Sequence, residues 1–233
     1  MLHHFIRPEY LIELLERRSF HLLRQDCQSD TADGILPARC FDQPFQGALE
    51  EVLGLKRSFL QSQARAVAAL RTRTFIMSWA ISPSASVRAR YGEHGQRCEL
   101  QVSTINLKRM IGYEWIREDE FPPRSIPIAE VAGAIATAQL KSPHYTGGAS
   151  AIPVVPSYFA TAHKNKQRYS EENEVRIEVV ILPENGCVRP SDTLIRWPIA
   201  SFVGLRILLT EQTPRDAATR LYALAAGLNV PVG

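Results

Sequence analysis

Long apolar runs are missing from this chain of 233 residues. None approaches the roughly 18 consecutive apolar residues that a membrane helix needs, so neither a spanning segment nor a membrane partner is expected. The N-terminus, Met1 to Glu9, holds no apolar stretch of signal-peptide length. Cysteine is scarce: Cys27, Cys40, Cys98 and Cys187 lie far apart, with no Cys-x-x-Cys pair. That spacing argues against a closed zinc site and against a disulfide scaffold, so no metal is expected and a cytoplasmic protein with reduced thiols is. The chain also lacks a P-loop, a Gly-x-Gly-x-x-Gly run, a Gly-x-Ser-x-Gly elbow and a His-Glu-x-x-His pair. The usual signatures of P-loop ATPases, Rossmann dehydrogenases, α/β-hydrolases and zincins are therefore absent. There are no internal repeats and no low-complexity tracts.

What is present suits a globular protein. Hydrophobic residues make up 45% and charged residues 22%, enough apolar material for a full core. The net charge of +3 is mild, but arginine is locally dense at Arg57, Arg65, Arg71 and Arg73 and again at Arg88, Arg90 and Arg97. A solvated helix face accounts for such density; a basic groove for an anionic ligand, a dinucleotide or RNA, stays open beside it.

Periodicity predicts a helix over Glu9 to Arg18, with Pro8 in its first turn, and a short strand over Phe20 to Arg24. A long amphipathic helix is predicted from Gly47 to Arg71 and a buried strand from Thr74 to Trp79. Short helices follow over Ser82 to Tyr91, capped by Ser82, and over Thr104 to Ile111, capped by Thr104, with a strand over Arg97 to Val102 between them. Alternation at Tyr113 to Arg117 suggests a further strand, and Ile126 to Leu140 reads as an Ala-rich helix. Residues 142–157, rich in Pro and Gly, read as a long loop. Glu174 to Leu182 is the clearest strand, expected to form a hairpin with residues 187–198. A strand over Gly204 to Leu209, a last helix opened by Thr213 and Pro214, and an edge strand over Leu228 to Val232 complete the pattern. The class expected is α+β: a mixed, mainly antiparallel sheet with flanking helices, in one domain spanning 1–233.

The chemistry-bearing segment runs from Lys164 to Arg176. Glu172, Glu174 and Arg176 are two residues apart, so a strand places all three on one face and turns Val175 and Ile177 to the core. Spacing alone favours a solvated salt-bridge ladder. The alternative is a carboxylate fixed by a rigid strand at a cleft and oriented by Arg176, where it would meet the positive charge of a breaking glycosidic bond. His3 and His4 are adjacent and unsuited to sharing one metal ion. Trp79 and Trp115 read as core residues.

In order along the chain, four landmarks form a pattern: Leu2-His-His-Phe5; the turn Phe41-Asp-Gln-Pro-Phe-Gln46; Phe75-Ile-Met-Ser78 followed by Arg88-Ala-Arg-Tyr91 and Gly95-Gln-Arg-Cys98; and Lys164 through Tyr169 to Glu172, Glu174 and Arg176. In this order they resemble a bacterial domain-of-unknown-function family. The chain departs from that family's pattern at Gln43, Gln46 and Arg88, where an acid, a Glu and a Trp are usual. More distantly, the order His, Tyr, Glu-x-Glu is similar to the His-Tyr-Glu ADP-ribosyltransferases, which would make the fold ADP-ribosyltransferase-like. That likeness implies NAD as substrate. It gives His4 a ribose hydrogen bond, Tyr91 a stacking role on nicotinamide, and Glu174, preceded by Glu172, the reacting ribose. Arg176, Arg88 or Arg90 would neutralise the pyrophosphate.

Two classes of function follow. One is an NAD-consuming transferase or glycohydrolase with a role in defence or toxicity. The other is a non-catalytic module of a phage-defence or toxin system that recognises a protein or nucleic acid. An RNase using His4 and Glu172 ranks last. The first class requires His4, Tyr91 and Glu174 to meet around one hollow.

Overall fold

The computed structural model describes residues 1–28, 51, 69–93, 97–111, 135–141, 144–146, 163–165, 170–181 and 193–233. Strand β1 (Leu2–Ile6) leads into helix α1 (Pro8–Arg17), which is built as its sequence dictates. Proline occupies the first turn, where no N–H is needed, Glu9 meets the positive helix end and Arg17 the negative one. Arg18 ends the helix in the left-handed conformation and donates its N–H to the Leu14 carbonyl. Strand β2 (Ser19–Arg24) follows directly, then β3 (Thr74–Ile81). A short helix α2 (Ala85–Arg88) continues as a π-helical turn over Ala89–Glu93. Next come β4 (Cys98–Val102), α3 (Thr104–Met110), β5 (Ile135–Lys141), β6 (His144–Thr146) and β7 (His163–Asn165). The chain closes with β8 (Glu174–Ile181), β9 (Leu194–Pro198), β10 (Arg206–Leu208) and α4 (Arg215–Gly227).

The molecule is α+β. Eight strands form one antiparallel sheet in which β10, β4, β1, β3, β2 and β9 are neighbours in that order, while β8 joins β3 to β5. Strand β3 is the hub. Along one edge it pairs with β8 from Thr74 to Ala80. Along the other, β1 takes its C-terminal end, with Leu2 opposite Ile81 and His3 opposite Ala80. Strand β2 takes its N-terminal end, with Leu23 opposite Ile76 and Arg24 opposite Phe75. Between those registers, Met77, Ser78 and Trp79 face no strand on that edge among the described residues. The sheet forks there.

The core lies on the face carrying Phe75, Met77, Trp79, Ile177 and Val179, as the period of two requires. Helices α1 and α4 pack together over it, burying Leu11, Leu14 and Leu15 from one and Leu221 and Ala225 from the other. Among the described residues, no helix is long and apolar enough to cross a membrane.

Several local expectations give way to tertiary context. Residues 135–140 are strand rather than helix, because the free edge of β8 is completed by β5. No hairpin joins β8 to residues 194–198, since β9 pairs with β2. Part of the expected loop, 144–146, pairs in parallel with 163–165. Caps shift by a residue or two: Ser84 caps α2 through the Val87 N–H, and Ser103 caps α3 through the Asn106 N–H. Ser82 is instead in the left-handed region, with φ 47°. Pro214 precedes α4 without a side-chain cap, and the Thr213 hydroxyl accepts from the Thr210 N–H. The edge strand expected at 228–232 reduces to one bridge, Ile207 to Val232. Most of the predicted helix 47–71, the strand 113–117, Trp115 and most of the loop 142–157 lie outside the described residues, as do Gln43 and Gln46.

Candidate functional site

The fork in the sheet creates the site. Where β1 and β2 separate, a cavity of about 480 Å³ opens, and His4, Tyr91, Glu172 and Glu174 all line it. Each arrives on a different element, and each position has a local cause.

His4 fills the gap left at the fork. Its Nδ1 lies 2.7 Å from the Ser78 carbonyl, replacing the strand partner that this stretch of β3 lacks. A carbonyl only accepts, so Nδ1 carries the proton and Nε2 keeps a lone pair. Burial pushes the imidazole pKa down to about 4; the Ser78 carbonyl opposes this and the nearby Arg97 charge adds to it. At neutral pH, His4 is an uncharged ring whose remaining nitrogen accepts hydrogen bonds. The ring is tilted against Trp79, 5.3 Å between centroids.

Glu174 opens β8 opposite Ala80, and Arg176 lies opposite Ser78. Small residues on β3 leave room for the two long ones. The pair is not a solvated ladder: Glu174 is 3% and Arg176 0% exposed. Glu174 Oε1 accepts from Arg176 Nε at 2.6 Å and from the Ser78 hydroxyl, and Arg176 Nη2 approaches Oε2 at 3.4 Å. Both partners of Oε1 are donors, so the carboxylate is held as an acceptor with its orientation locked on two sides.

Glu172 is not part of the strand. It belongs to a 3₁₀ turn, Ser170–Glu172, and Asn173 then takes a left-handed conformation with φ 40°. Asparagine tolerates this conformation better than most residues, and the reversal carries Glu172 as well as Glu174 to the cavity. The Asn173 carbonyl also accepts from the Ile81 N–H at 2.8 Å, pinning the turn to β3.

Tyr91 sits in the π-helical turn and donates its hydroxyl to Glu172. Its ring stacks on Phe5, 6.3 Å between centroids, and the Arg90 guanidinium lies 5.9 Å from the ring centre. Helix α2, which leads into this turn, is tied down at two points. Ser86 donates to Glu171 at 2.8 Å, and Arg88 pairs with Glu99, which also contacts His3 Nδ1 at 2.6 Å. Burial alone would push the Glu99 carboxyl up, but hydrogen bonds from Gln101, His3 and Arg88 outweigh it and hold the group below the usual range.

The sequence-predicted residues therefore divide. His4, Tyr91, Glu172 and Glu174 share the cavity. The arginines assigned to a pyrophosphate do not line it: Arg176 serves Glu174, Arg88 serves Glu99 and Arg90 flanks Tyr91. Arg97 lines it instead, and so does Ser78. Sequence reasoning noted Arg97 only within a dense run. It passed over Ser78 because the register that sets it opposite Arg176 is a long-range fact. Trp79 is fully buried, as expected of a core residue, and it also lines the cavity. Among the described residues, no cluster of three His, Cys, Asp or Glu side chains is placed to hold a metal ion. Cys98 is buried, with its thiol pushed up to about 11 by desolvation, and offers no nucleophile at neutral pH. Comparison with protein-family models, curated proteins and solved structures finds no match.

Proposed function

We propose that the chain is an NAD-consuming enzyme, an ADP-ribosyltransferase or NAD glycohydrolase, acting in the cavity at the sheet fork. The observation that carries the reading is the convergence of His4, Tyr91 and the Glu172–Glu174 pair on that single cavity from three separate segments.

The chemistry asks for a group that stabilises positive charge on a ribose. As the bond from ribose C1′ to the nicotinamide nitrogen breaks, its electron pair leaves with nicotinamide. Positive charge then develops over C1′ and the ring oxygen. A preoriented carboxylate stabilises that charge without having to reorganise, and Glu174, braced by Arg176 and Ser78, is such a group. Neutral His4 offers Nε2 as acceptor for a ribose hydroxyl, a role its low pKa protects throughout the physiological range. Tyr91 fixes Glu172 and supplies an aromatic wall. Water, or an acceptor hydroxyl, forms the new bond to C1′ and gives up one proton, which the Glu172 carboxylate in the same lining accepts.

Incubating the protein with NAD and following free nicotinamide tests the proposal. The wild type is expected to release it. Glu174→Gln, which keeps size but removes the charge, is expected to lower the rate about a hundredfold or more. A wild type that neither binds NAD nor releases nicotinamide overturns the reading.

A further inference from the structure

Arg97 stands immediately before β4, its N–H donating to the Gly92 carbonyl at 3.1 Å, which ties it to the end of the π-helical turn. Its side chain is partly buried and lines the cavity. The neighbouring cations are spoken for, Arg88 by Glu99 and Arg176 by Glu174. Among the described residues, no carboxylate pairs with Arg97. A guanidinium removed in part from water without an anion is costly, and proteins ordinarily pair such a group. Its charge is felt inside the site, since it helps depress the His4 pKa.

A second observation concerns Trp79, which also lines the cavity. The Trp79 indole N–H is buried and, among the described residues, meets no acceptor. Buried N–H groups are nearly always satisfied, by protein, water or ligand. The cavity lining thus holds a cation with no carboxylate partner among the described residues, together with Trp79, Glu172 and Glu174. The volume of about 480 Å³ falls within the range of small-molecule sites.

We infer that this cavity binds an anionic nucleotide and that Arg97 is the residue that takes its phosphate. The guanidinium fork matches two phosphate oxygens at once, and a ligand with a cationic nicotinamide riboside joined to a central diphosphate carries charges of both signs, as the lining does. The inference rests on the nucleotide reading of the site, but not on catalysis.

The test titrates the purified full chain with ADP-ribose and with uncharged adenosine, for wild type, Arg97→Gln and Arg97→Lys, with nicotinamide release from NAD measured in parallel. Circular dichroism checks folding. Wild type is expected to hold ADP-ribose about tenfold or more tightly than adenosine, the worth of one charge-assisted hydrogen-bonding contact. Arg97→Gln is expected to lose that preference while keeping its adenosine affinity, and Arg97→Lys to recover part of it. Equal binding of ADP-ribose by wild type and Arg97→Gln overturns the inference, as does a wild type that binds neither ligand. Arg97-dependent binding without nicotinamide release would remove the catalytic proposal and leave this one standing. Nicotinamide release with the same KM in Arg97→Gln would do the reverse.

Discussion

At position 4, burial and one hydrogen bond set the state of a single imidazole, and the consequence is measurable. The folded pKa of about 4 lies below the unfolded value of 6.5. Between these values the unfolded chain binds the extra proton, so stability contributed by neutral His4 is complete above pH 6.5 and is lost as pH falls toward 4. The shift corresponds to about 3 kcal/mol. Burial lowers the His21 pKa as well, so that group works in the same direction. Urea unfolding of wild type and His4→Gln at pH 7 and pH 4.5 checks this. The wild type is expected to lose more stability on acidification than the variant does, and equal losses would contradict the assignment. Glu174 makes a second claim at this scale. Replacing it with Ala leaves the fully buried Arg176 without the carboxylate that accepts from its Nε, a change expected to cost about 3 kcal/mol in the same assay.

Elements show where sequence reading succeeds. Helix α1 carries its own start signal, amphipathic face and stop, and β8 alternates from Glu174 to Val179, so both were legible from residues alone. Residues 135–140 have an Ala-rich pattern that suits a helix until β8 supplies a partner edge, which no local window contains. The pairing of β9 with β2 rather than β8 is equally non-local. The turn at Asn173 lies between these cases: the Glu-x-Glu spacing was visible, but the left-handed residue that takes Glu172 out of the strand was not. Asn173→Val places a β-branched side chain in that conformation and is expected to cost about 1–2 kcal/mol, with Asn173→Gly tolerated better. Thermal melts of the two variants decide it, and the reverse order would contradict the geometry. Thiol accessibility gives another check, on β4. Cys98 is buried with a raised pKa and Cys27 is exposed, so mass spectrometry after brief alkylation is expected to find Cys27 modified well before Cys98.

Across the whole molecule, the site exists because one strand serves two partners end to end along a single edge. β1 and β2 both pair with β3, and the unpaired stretch between them becomes the cavity that α1 and the π-helical turn border. The candidate acids and the candidate histidine were readable as residues; that they share a hollow was not, since nothing in local spacing reveals the fork. Nor did the sequence distinguish arginines that brace the protein, Arg88 and Arg176, from Arg97, which faces the cavity. The most direct measurement of the central claim is NMR of the full chain, with labelled histidine, tyrosine and arginine, titrated with ADP-ribose. The account expects the His4, Tyr91 and Arg97 side-chain signals to shift together along one binding curve. Signals that stay fixed at these three positions while others move would contradict it.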